Sequence, residues 1–190
     1  ERIGSGGMGA VYRATQLSVG RAVAVKVIRS QSAVDESAIK RFLREAQLSS
    51  RLNHPHIVSI IDFGQTDDNL LYLVMELCTG RSLNVLLDEE APLPVGRAIQ
   101  IAIQICDGLA AAHRQEIIHR DLKPSNVMEL DEHEELVKIL DFGLARSLSG
   151  DHSTITRSDV ILGTPTHMAP EAVRGLYFDS RSDLYALGVI

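Results

Sequence analysis

A string of three glycines near the start of the chain leads directly into a segment with the composition of a β-strand. Gly4, Gly6 and Gly9 have the spacing G-x-G-x-x-G, and glycine allows the close backbone approach that a phosphate-binding turn requires. Residues 11–15 (Val-Tyr-Arg-Ala-Thr) favour a strand. A dinucleotide-binding turn must open a helix and a P-loop must end in Gly-Lys-Ser/Thr, so both are excluded. Taken alone, the string also fits a plain glycine hairpin.

The next strand-like segment, residues 21–28, carries a lysine in an otherwise apolar row. Alternation along a strand places Ala24, Lys26 and Ile28 on the same face. Such a lysine either extends its ammonium group to water at an edge of the sheet or faces a cleft and holds phosphate groups. The small Ala24 beside it leaves room for a flat ring.

Residues 36–52 have the periodicity of an amphipathic helix. On a helical wheel Glu45 falls among apolar residues that include Phe42 and Leu52. A carboxylate in an apolar arc is costly unless it is paired, and Lys26 is the cation that we expect to pair with it. The alternative is that Glu45 merely borders the apolar face.

Two strands and two helices are predicted in the middle of the chain. Residues 57–63 and 70–77 read as strands that complete an antiparallel sheet. A short helix is expected at residues 82–87 and a long one at residues 94–112, because proline suits a first helical turn. The long helix shows apolar residues at intervals of three and four, which predict a buried face formed by Ile99, Ala102, Ile103, Cys106, Leu109, Ala110 and His113.

Residues 119–126 read His-Arg-Asp-Leu-Lys-Pro-Ser-Asn and bring several polar groups of one chemistry together. Asp121 is an acid that can accept a proton, and Lys123 is a nearby cation. Asn126 and the later Asp141 supply oxygen ligands for a hard metal ion such as Mg²⁺. Phosphoryl transfer requires these parts: a group that orients the hydroxyl, a cation that offsets charge, and a metal ion on the phosphates.

Composition narrows the remaining functions. The formal net charge is −6 and no basic block is present, which argues against a nucleic-acid-binding role. The two cysteines, Cys78 and Cys106, form no paired motif and indicate a reducing compartment, and Cys106 is expected to be a buried thiol. No run of about 18 apolar residues and no signal peptide is apparent, so we expect no membrane contact in this chain.

These motifs together resemble the catalytic domain of eukaryotic-like (Hanks-type) serine/threonine protein kinases, a family also common in bacteria. The resemblance covers nearly every residue, and its landmarks occur in family order: the glycine loop, Lys26, Glu45, Asp121, Asn126, Asp141 and Glu171. The family pattern usually has tyrosine where His167 stands, so substrate preference cannot be transferred.

The resemblance implies an α+β, bilobal protein-kinase-like fold. Its N-lobe, an antiparallel sheet with one helix, would span residues 1–77, with a hinge at residues 78–80. Residues 81–190 would form a mainly helical C-lobe, with an activation segment at residues 141–171. Because the family's domain continues further, we expect a partial catalytic domain whose C-lobe is truncated at its C-terminal end.

The resemblance also implies ATP and Mg²⁺ as cofactors and assigns roles to individual residues. Asp121 would orient the substrate hydroxyl, Lys123 would neutralise the transferred group, and the Lys26–Glu45 pair would be required for activity. Asn126 and Asp141 would hold the metal ion. Nucleotide contacts would come from the glycine loop and from Lys26, from the main chain of Glu76 and Cys78, and from Ile3, Gly4, Gly6, Gly9, Val11, Ala24, Met75 and Met128.

Regulation is implied by Arg120, which resembles the arginine that receives an activation-loop phosphate. The positions that resemble activating sites are Thr156 and Ser158, although hydroxyls in such a loop can serve solubility alone. Thr164 would bridge Asp121 and Lys123. The implied partners are protein substrates and a transient homodimer for phosphorylation in trans, in the cytoplasm. The parent protein can still be membrane-anchored through another region.

Two rival functions remain. A pseudokinase or scaffold usually lacks the strand lysine, the catalytic Asp or the metal Asp, and here Lys26, Asp121 and Asp141 are all present. A small-molecule phosphotransferase shares the Asp and Asn of the loop but lacks the activation segment that ends at Glu171.

Overall fold

A computed structural model of the 190-residue chain describes residues 1–6, 9–28, 36–131, 136–142, 165–174 and 179–190. In these ranges the structure has a β-rich first part and a mainly helical second part. The predicted elements occur in the predicted order, with boundaries that differ by a few residues. The structure also has four strands that the sequence did not predict, at Arg2–Gly6, Gly80–Ser82, Val127–Leu130 and Val137–Ile139.

The first part is a five-stranded antiparallel sheet with the spatial order β1-β2-β3-β5-β4. One helix, α1 (Glu36–Ser49), lies against it and buries Phe42 and Ala46 in the same core cluster as Leu73. The prediction of an antiparallel N-lobe sheet with one helix is confirmed. Its strands are β1 (Arg2–Gly6), β2 (Gly9–Gln16), β3 (Arg21–Ile28), β4 (Ile60–Gln65) and β5 (Leu71–Glu76).

Within its described residues, the second part contains a smaller three-stranded antiparallel sheet and four helices. The sheet has the order β6-β7-β8, and its last strand leads to Asp141. Short 3₁₀ turns at Pro124–Asn126 and Pro165–His167 complete the described part. The strands are β6 (Gly80–Ser82), β7 (Val127–Leu130) and β8 (Val137–Ile139), and the helices are α2 (Leu83–Glu90), α3 (Val95–His113), α4 (Pro170–Val173) and α5 (Ser180–Val189).

A second core cluster of buried residues holds the second part of the chain together. Leu86 of α2, Leu109 of α3 and Ile139 of β8 are fully buried in it, and Phe142 joins them. The Phe142 ring lies 4.8 Å from the ring of buried His119. Both side chains are therefore buried and pack against each other.

The predicted buried face of α3 is wrong. The helix buries Ile101, Ile105, Gly108, Leu109 and Ala112, whereas Ile99 and Ile103 are about half exposed and Cys106 is exposed. The reason is that the apolar arc of α3 is wider than the face that it buries, so periodicity alone does not select the part of the arc that meets the core.

Among the described residues, α3 is also long and apolar enough to cross a membrane by length and composition alone. Helices at the centre of globular domains pass the same test. Because α3 contributes Ile105 and Leu109 to the second core cluster, this property is weak evidence for a membrane span.

Gly80 starts β6 with a φ of +145°, a conformation that side chains rarely adopt. A Cβ atom there would lie 2.0 Å from the carbonyl oxygen of Glu129 on the paired strand. We therefore expect Gly80→Ala to destabilise the fold by at least about 2 kcal/mol. In a matched control, Gly96→Ala in α3, where a Cβ meets nothing within 4 Å, should be neutral or stabilising. Urea unfolding of both variants checks this, and equal midpoints would contradict the β6–β7 register.

Candidate active site

The loop that carries Asp121 is held by a buried carboxylate from α5. Asp183, only 1 % exposed, accepts hydrogen bonds from the backbone N–H groups of His119 (2.9 Å, Oδ2) and Arg120 (2.9 Å, Oδ1). Nε2 of His113 lies 2.7 Å from the same Oδ2. Arg120 has a φ of 67°, so this part of the loop adopts a conformation that needs such support. Asp183 therefore braces the loop.

Asp121 and Lys123 lie side by side in this loop, with Nζ of Lys123 2.7 Å from Oδ2 of Asp121. The side-chain amide of Asn126 donates to the carbonyl oxygen of Asp121 at 2.8 Å. Both ionic side chains remain about one-third exposed, which leaves them accessible to a ligand. The predicted acid, cation and amide therefore form a single cluster.

Asp141 joins the cluster from the end of β8. Its backbone has a φ of 58°, and its Oδ2 lies 2.7 Å from Nζ of Lys26 on β3. The backbone N–H of Leu140 bonds to the carbonyl oxygen of Asn126 at 2.8 Å, and the ring of His119 bonds to the carbonyl oxygen of Leu140 at 2.7 Å. These bonds hold the segment before Asp141 against the Asp121 loop. The ion pair of Lys26 and Asp141, which are 115 positions apart, adds a residue of β3 to this arrangement.

The predicted Lys26–Glu45 ion pair is wrong for this structure. Lys26 bonds Asp141 instead, and Oε1 of Glu45 lies 3.2 Å from Nη1 of Arg120. Two carboxylates compete for the single ammonium group, and Arg120 supplies a second cation that gives each partly buried acid a partner. The match is incomplete, because Oε2 of Glu45 is buried with no hydrogen-bond partner in the described part of the chain.

The glycine string lies in the paired strands β1 and β2, with Gly6 paired to Gly9 and Gly4 to Val11, an arrangement that fits the hairpin alternative. Gly9 has a φ of +147°, and a Cβ atom there would lie 2.0 Å from the carbonyl oxygen of Val27. A Cβ atom at Gly4 would meet only ordinary contacts with Val11. Gly9 is thus required by the fold itself, whereas the close packing of the hairpin does not demand a glycine at position 4.

Four of the predicted adenine-contacting residues lie in or against one core cluster: Ala24 and Met75 are buried in it, and Val11 and Cys78 pack against it. Of the other three, Glu76 is the last residue of β5. Ile3 is about half exposed on β1, and Met128 is on β7 of the second sheet, paired with Ser82 and Lys138. A small cavity lined by Met75, Asp141 and Phe142, among others, lies beside this cluster.

Glu76 and Lys138 form an ion pair that was not predicted from the sequence. In the structure Nζ of Lys138 binds both carboxylate oxygens of Glu76, at 2.7 and 2.8 Å. Lys138 lies between the buried residues Val137 and Ile139 of β8. A lysine between two apolar residues of a short strand is the one feature of the sequence that could have drawn attention to it.

The two cysteines should differ in reactivity. Burial raises the pKa of the Cys78 thiol to about 11, and the neighbouring Glu76 carboxylate acts in the same direction. Cys106 is exposed. Because the thiolate is the reactive species, we expect iodoacetamide at pH 8 to label Cys106 at least about tenfold faster than Cys78. Peptide mass spectrometry over time measures both rates, and faster labelling of Cys78 would contradict the placement of these residues.

Three predicted regulatory residues, Thr156, Ser158 and Thr164, lie outside the described residues.

Within the described residues, no group of three or more His, Cys, Asp and Glu side chains has the arrangement of a metal site. Asn126 and Asp141 nevertheless fit a metal that the nucleotide phosphates help to bind. The Asn126 amide nitrogen is committed to Asp121, which leaves its oxygen as an acceptor, and Mg²⁺ takes few protein ligands beside phosphates.

Comparison with known proteins agrees with this arrangement. The chain matches the protein kinase domain family over residues 1–190. It is 46% identical to the serine/threonine-protein kinase pkn3 of Myxococcus xanthus over 99% of the chain and 35% of that protein. It is 43% identical to the serine/threonine-protein kinase PrkC of Bacillus subtilis over 99% of the chain and 28% of that protein. The chain thus spans about a third or less of the length of these curated relatives.

The fold is also that of a solved kinase. The crystal structure of the Mycobacterium tuberculosis PknI kinase domain superimposes with a TM-score of 0.78 at 30% sequence identity, covering 98% of this chain and 68% of that one. ATP and a divalent metal ion are used generally in the family. From its sequence, its fold and the cluster around Asp121, the chain belongs to the protein kinase domain family.

Proposed function

We propose that the protein containing this chain is a serine/threonine protein kinase that transfers the γ-phosphoryl group of ATP to hydroxyl groups of Ser and Thr in proteins. The observation that carries the proposal is the cluster of Asp121, Lys123 and Asn126, against which the backbone bond from Leu140 to Asn126 holds the segment leading to Asp141 and its partner Lys26. The named kinases among its relatives support the same reaction class.

In the proposed reaction, the Asp121 carboxylate accepts a hydrogen bond from the substrate hydroxyl and takes its proton as the new oxygen–phosphorus bond forms. The bond between the γ-phosphorus and the bridging oxygen breaks, and ADP leaves. Lys123, already 2.7 Å from Asp121, offsets negative charge on the transferred group. The loop does not have to reorganise during the step, because Asp183 fixes its backbone.

Nucleotide binding is assigned to residues around the same cleft. Lys26 would hold the phosphates, beside the glycine hairpin of Gly4, Gly6 and Gly9. Asn126 and Asp141 would hold Mg²⁺, which when bound neutralises phosphate charge and orients the γ-phosphoryl group. The main chain of residues 76–78 would meet the adenine edge, with the side chains of Ile3, Val11, Ala24, Met75 and Met128 around the ring.

Regulation by autophosphorylation at Thr156 or Ser158 is part of the proposal. A phosphate carries a charge of almost −2 and binds arginine strongly. In the structure the Arg120 guanidinium is bonded to Glu45, so a phosphate that recruits Arg120 would compete directly with that carboxylate. Release of Glu45 would then allow the Lys26–Glu45 pair that the family resemblance implies. Phosphorylation in trans would use a transient homodimer in the cytoplasm.

A transfer assay tests the reaction class. The full-length protein is incubated with a generic protein substrate and Mg·ATP that carries radiolabel on either the γ- or the α-phosphate. We expect label from γ-labelled ATP on phosphoserine and phosphothreonine, and none from α-labelled ATP. Absence of γ-label in the protein fraction, while ATP still binds, would overturn the proposal and favour a scaffold.

A further inference from the structure

The Glu76 carboxylate is held from two sides at the end of β5. Nζ of Lys138 lies 2.7 Å from Oε1 and 2.8 Å from Oε2, and the backbone N–H of Ser59 donates to Oε1 at 2.7 Å. The backbone N–H of Glu76 in turn donates to the carbonyl oxygen of Ser59 at 3.0 Å. The Lys138 side chain is 14% exposed and that of Glu76 is 32% exposed, so the pair is shielded more than a surface ion pair.

This ion pair connects the two sheets. Glu76 is the last residue of β5 in the five-stranded sheet, and Lys138 is the central residue of β8 in the three-stranded sheet. Residues 56–59 run between them. The N–H of Val58 bonds to the carbonyl oxygen of Ile139 at 3.0 Å, and the N–H of Ile139 bonds to the carbonyl oxygen of His56 at 2.9 Å. The end of β5 is therefore tied to β8 both through a side-chain pair and through backbone bonds.

The position of this tie matters because Glu76 begins the connection to the second part of the chain. Residues 77–79 follow it and lead to β6. In the proposed function, the main chain of residues 76–78 must meet the adenine edge within hydrogen-bond distance. A tie at Glu76 fixes where that main chain starts, relative to the strand that leads to Asp141.

We propose that Glu76 and Lys138 are positioning residues for nucleotide binding: their ion pair holds the 76–78 main chain in the register that binds adenine. The inference rests on the proposed function, because it takes an adenine nucleotide as the ligand. The pair acts on affinity for the base and leaves the chemical step at Asp121 unchanged.

The test compares four single variants of the full-length protein and the double variant that combines Lys138→Met with Glu76→Gln. Lys138→Met removes the cation at similar length, and Glu76→Gln removes the charge while keeping an oxygen for the Ser59 N–H. Lys138→Arg keeps the cation. Lys40→Met breaks the exposed Glu36–Lys40 pair, whose side chains are 80% and 73% exposed, and serves as the matched control. Kd values for adenosine and Mg·ATP, the KM for ATP and kcat are measured, with melting temperatures as a check on folding.

We expect Lys138→Met and Glu76→Gln each to raise the Kd of adenosine and of Mg·ATP by about tenfold, because backbone donors and acceptors displaced by about 1 Å lose their ligand bonds. KM for ATP should rise alike and kcat should stay within about twofold, since the catalytic loop is braced separately. Combining both changes should add little, because they remove one interaction. Lys138→Arg and Lys40→Met should resemble the wild type.

Unchanged adenosine affinity in Lys138→Met and Glu76→Gln would overturn the inference. A loss of Mg·ATP affinity without a loss of adenosine affinity would also overturn the inference. The ion pair would then act on phosphate and metal binding through Asp141, which follows β8, and would leave adenine binding unchanged. If Lys138→Met fails to fold, Glu76→Gln decides by the same criteria. Failure of the proposed function looks different: the wild type would bind adenosine and ATP but transfer no phosphate.

Discussion

Replacing Asp121 with asparagine is expected to lower the rate of phosphoryl transfer by about a thousandfold. The amide keeps the size of the carboxylate but cannot accept the hydroxyl proton, and general-base catalysis contributes about 10²- to 10⁴-fold. Nucleotide affinity should change little, because Asp121 contacts Lys123 and Asn126 and lies apart from the residues proposed to meet adenine. Steady-state rates together with a nucleotide Kd measure both quantities.

The matched control for this variant is Asp131→Asn, an exposed aspartate that follows β7. It removes one negative charge at a site away from the cluster and should keep the wild-type rate. A variant Asp121→Asn that retains more than about one-tenth of the wild-type rate would contradict the role given to this carboxylate.

The second large effect is expected at Asp183. Changing it to asparagine replaces one acceptor oxygen with an N–H₂ group that faces the backbone N–H donors of His119 or Arg120. Because the site is buried, unsatisfied donors cannot turn to water, and we expect a loss of about 3 kcal/mol in the free energy of unfolding. The loop around Asp121 would lose its brace, so activity should fall with stability.

Urea unfolding of full-length Asp183→Asn measures this loss, with Asp107→Asn as the control. Asp107 is an exposed aspartate on α3, and its substitution should leave the midpoint unchanged. Equal midpoints for the two variants would show that Asp183 does not support the loop. Loss of activity without loss of stability would instead assign Asp183 a direct part in catalysis.

The elements that sequence predicts best are those whose signal is local. Asp121, Lys123 and Asn126 all lie within residues 119–126, so they are close in space because they are close in the sequence. The β1–β2 hairpin, which the glycine spacing allowed as an alternative, and α1, which has a strong helical period, are local as well. For these parts the sequence predicts which residues come together, and the structure places them as expected.

The partner of Glu45 depends on long-range geometry and could not be predicted in the same way. The choice is between Lys26 on β3 and Arg120, which lies 75 positions later in a loop with a positive φ. Whether Lys26 is free depends on Asp141, which is further away still along the chain. A pattern in one segment contains no information on how three separate segments share two cations.

Two other features were missed for related reasons. The buried side of α3 was misassigned because its wide apolar arc offers two plausible faces, and only the packing of neighbouring elements selects one of them. The Glu76–Lys138 pair joins residues 62 positions apart on different sheets. Lysine and glutamate are common on protein surfaces, so nothing in the sequence indicates that these two residues pair with each other.

The most direct test of the kinase assignment is a phosphate map of the full-length protein. Wild type and Asp121→Asn are incubated with Mg·ATP, and residues 141–171 are analysed by mass spectrometry. We predict phosphate on Thr156 or Ser158 in the wild type and none in Asp121→Asn. Equal phosphate in both proteins would contradict the claim that Asp121 catalyses phosphoryl transfer. No phosphate in either protein, while both bind ATP, would contradict that claim and also the claim that this transfer activates the enzyme.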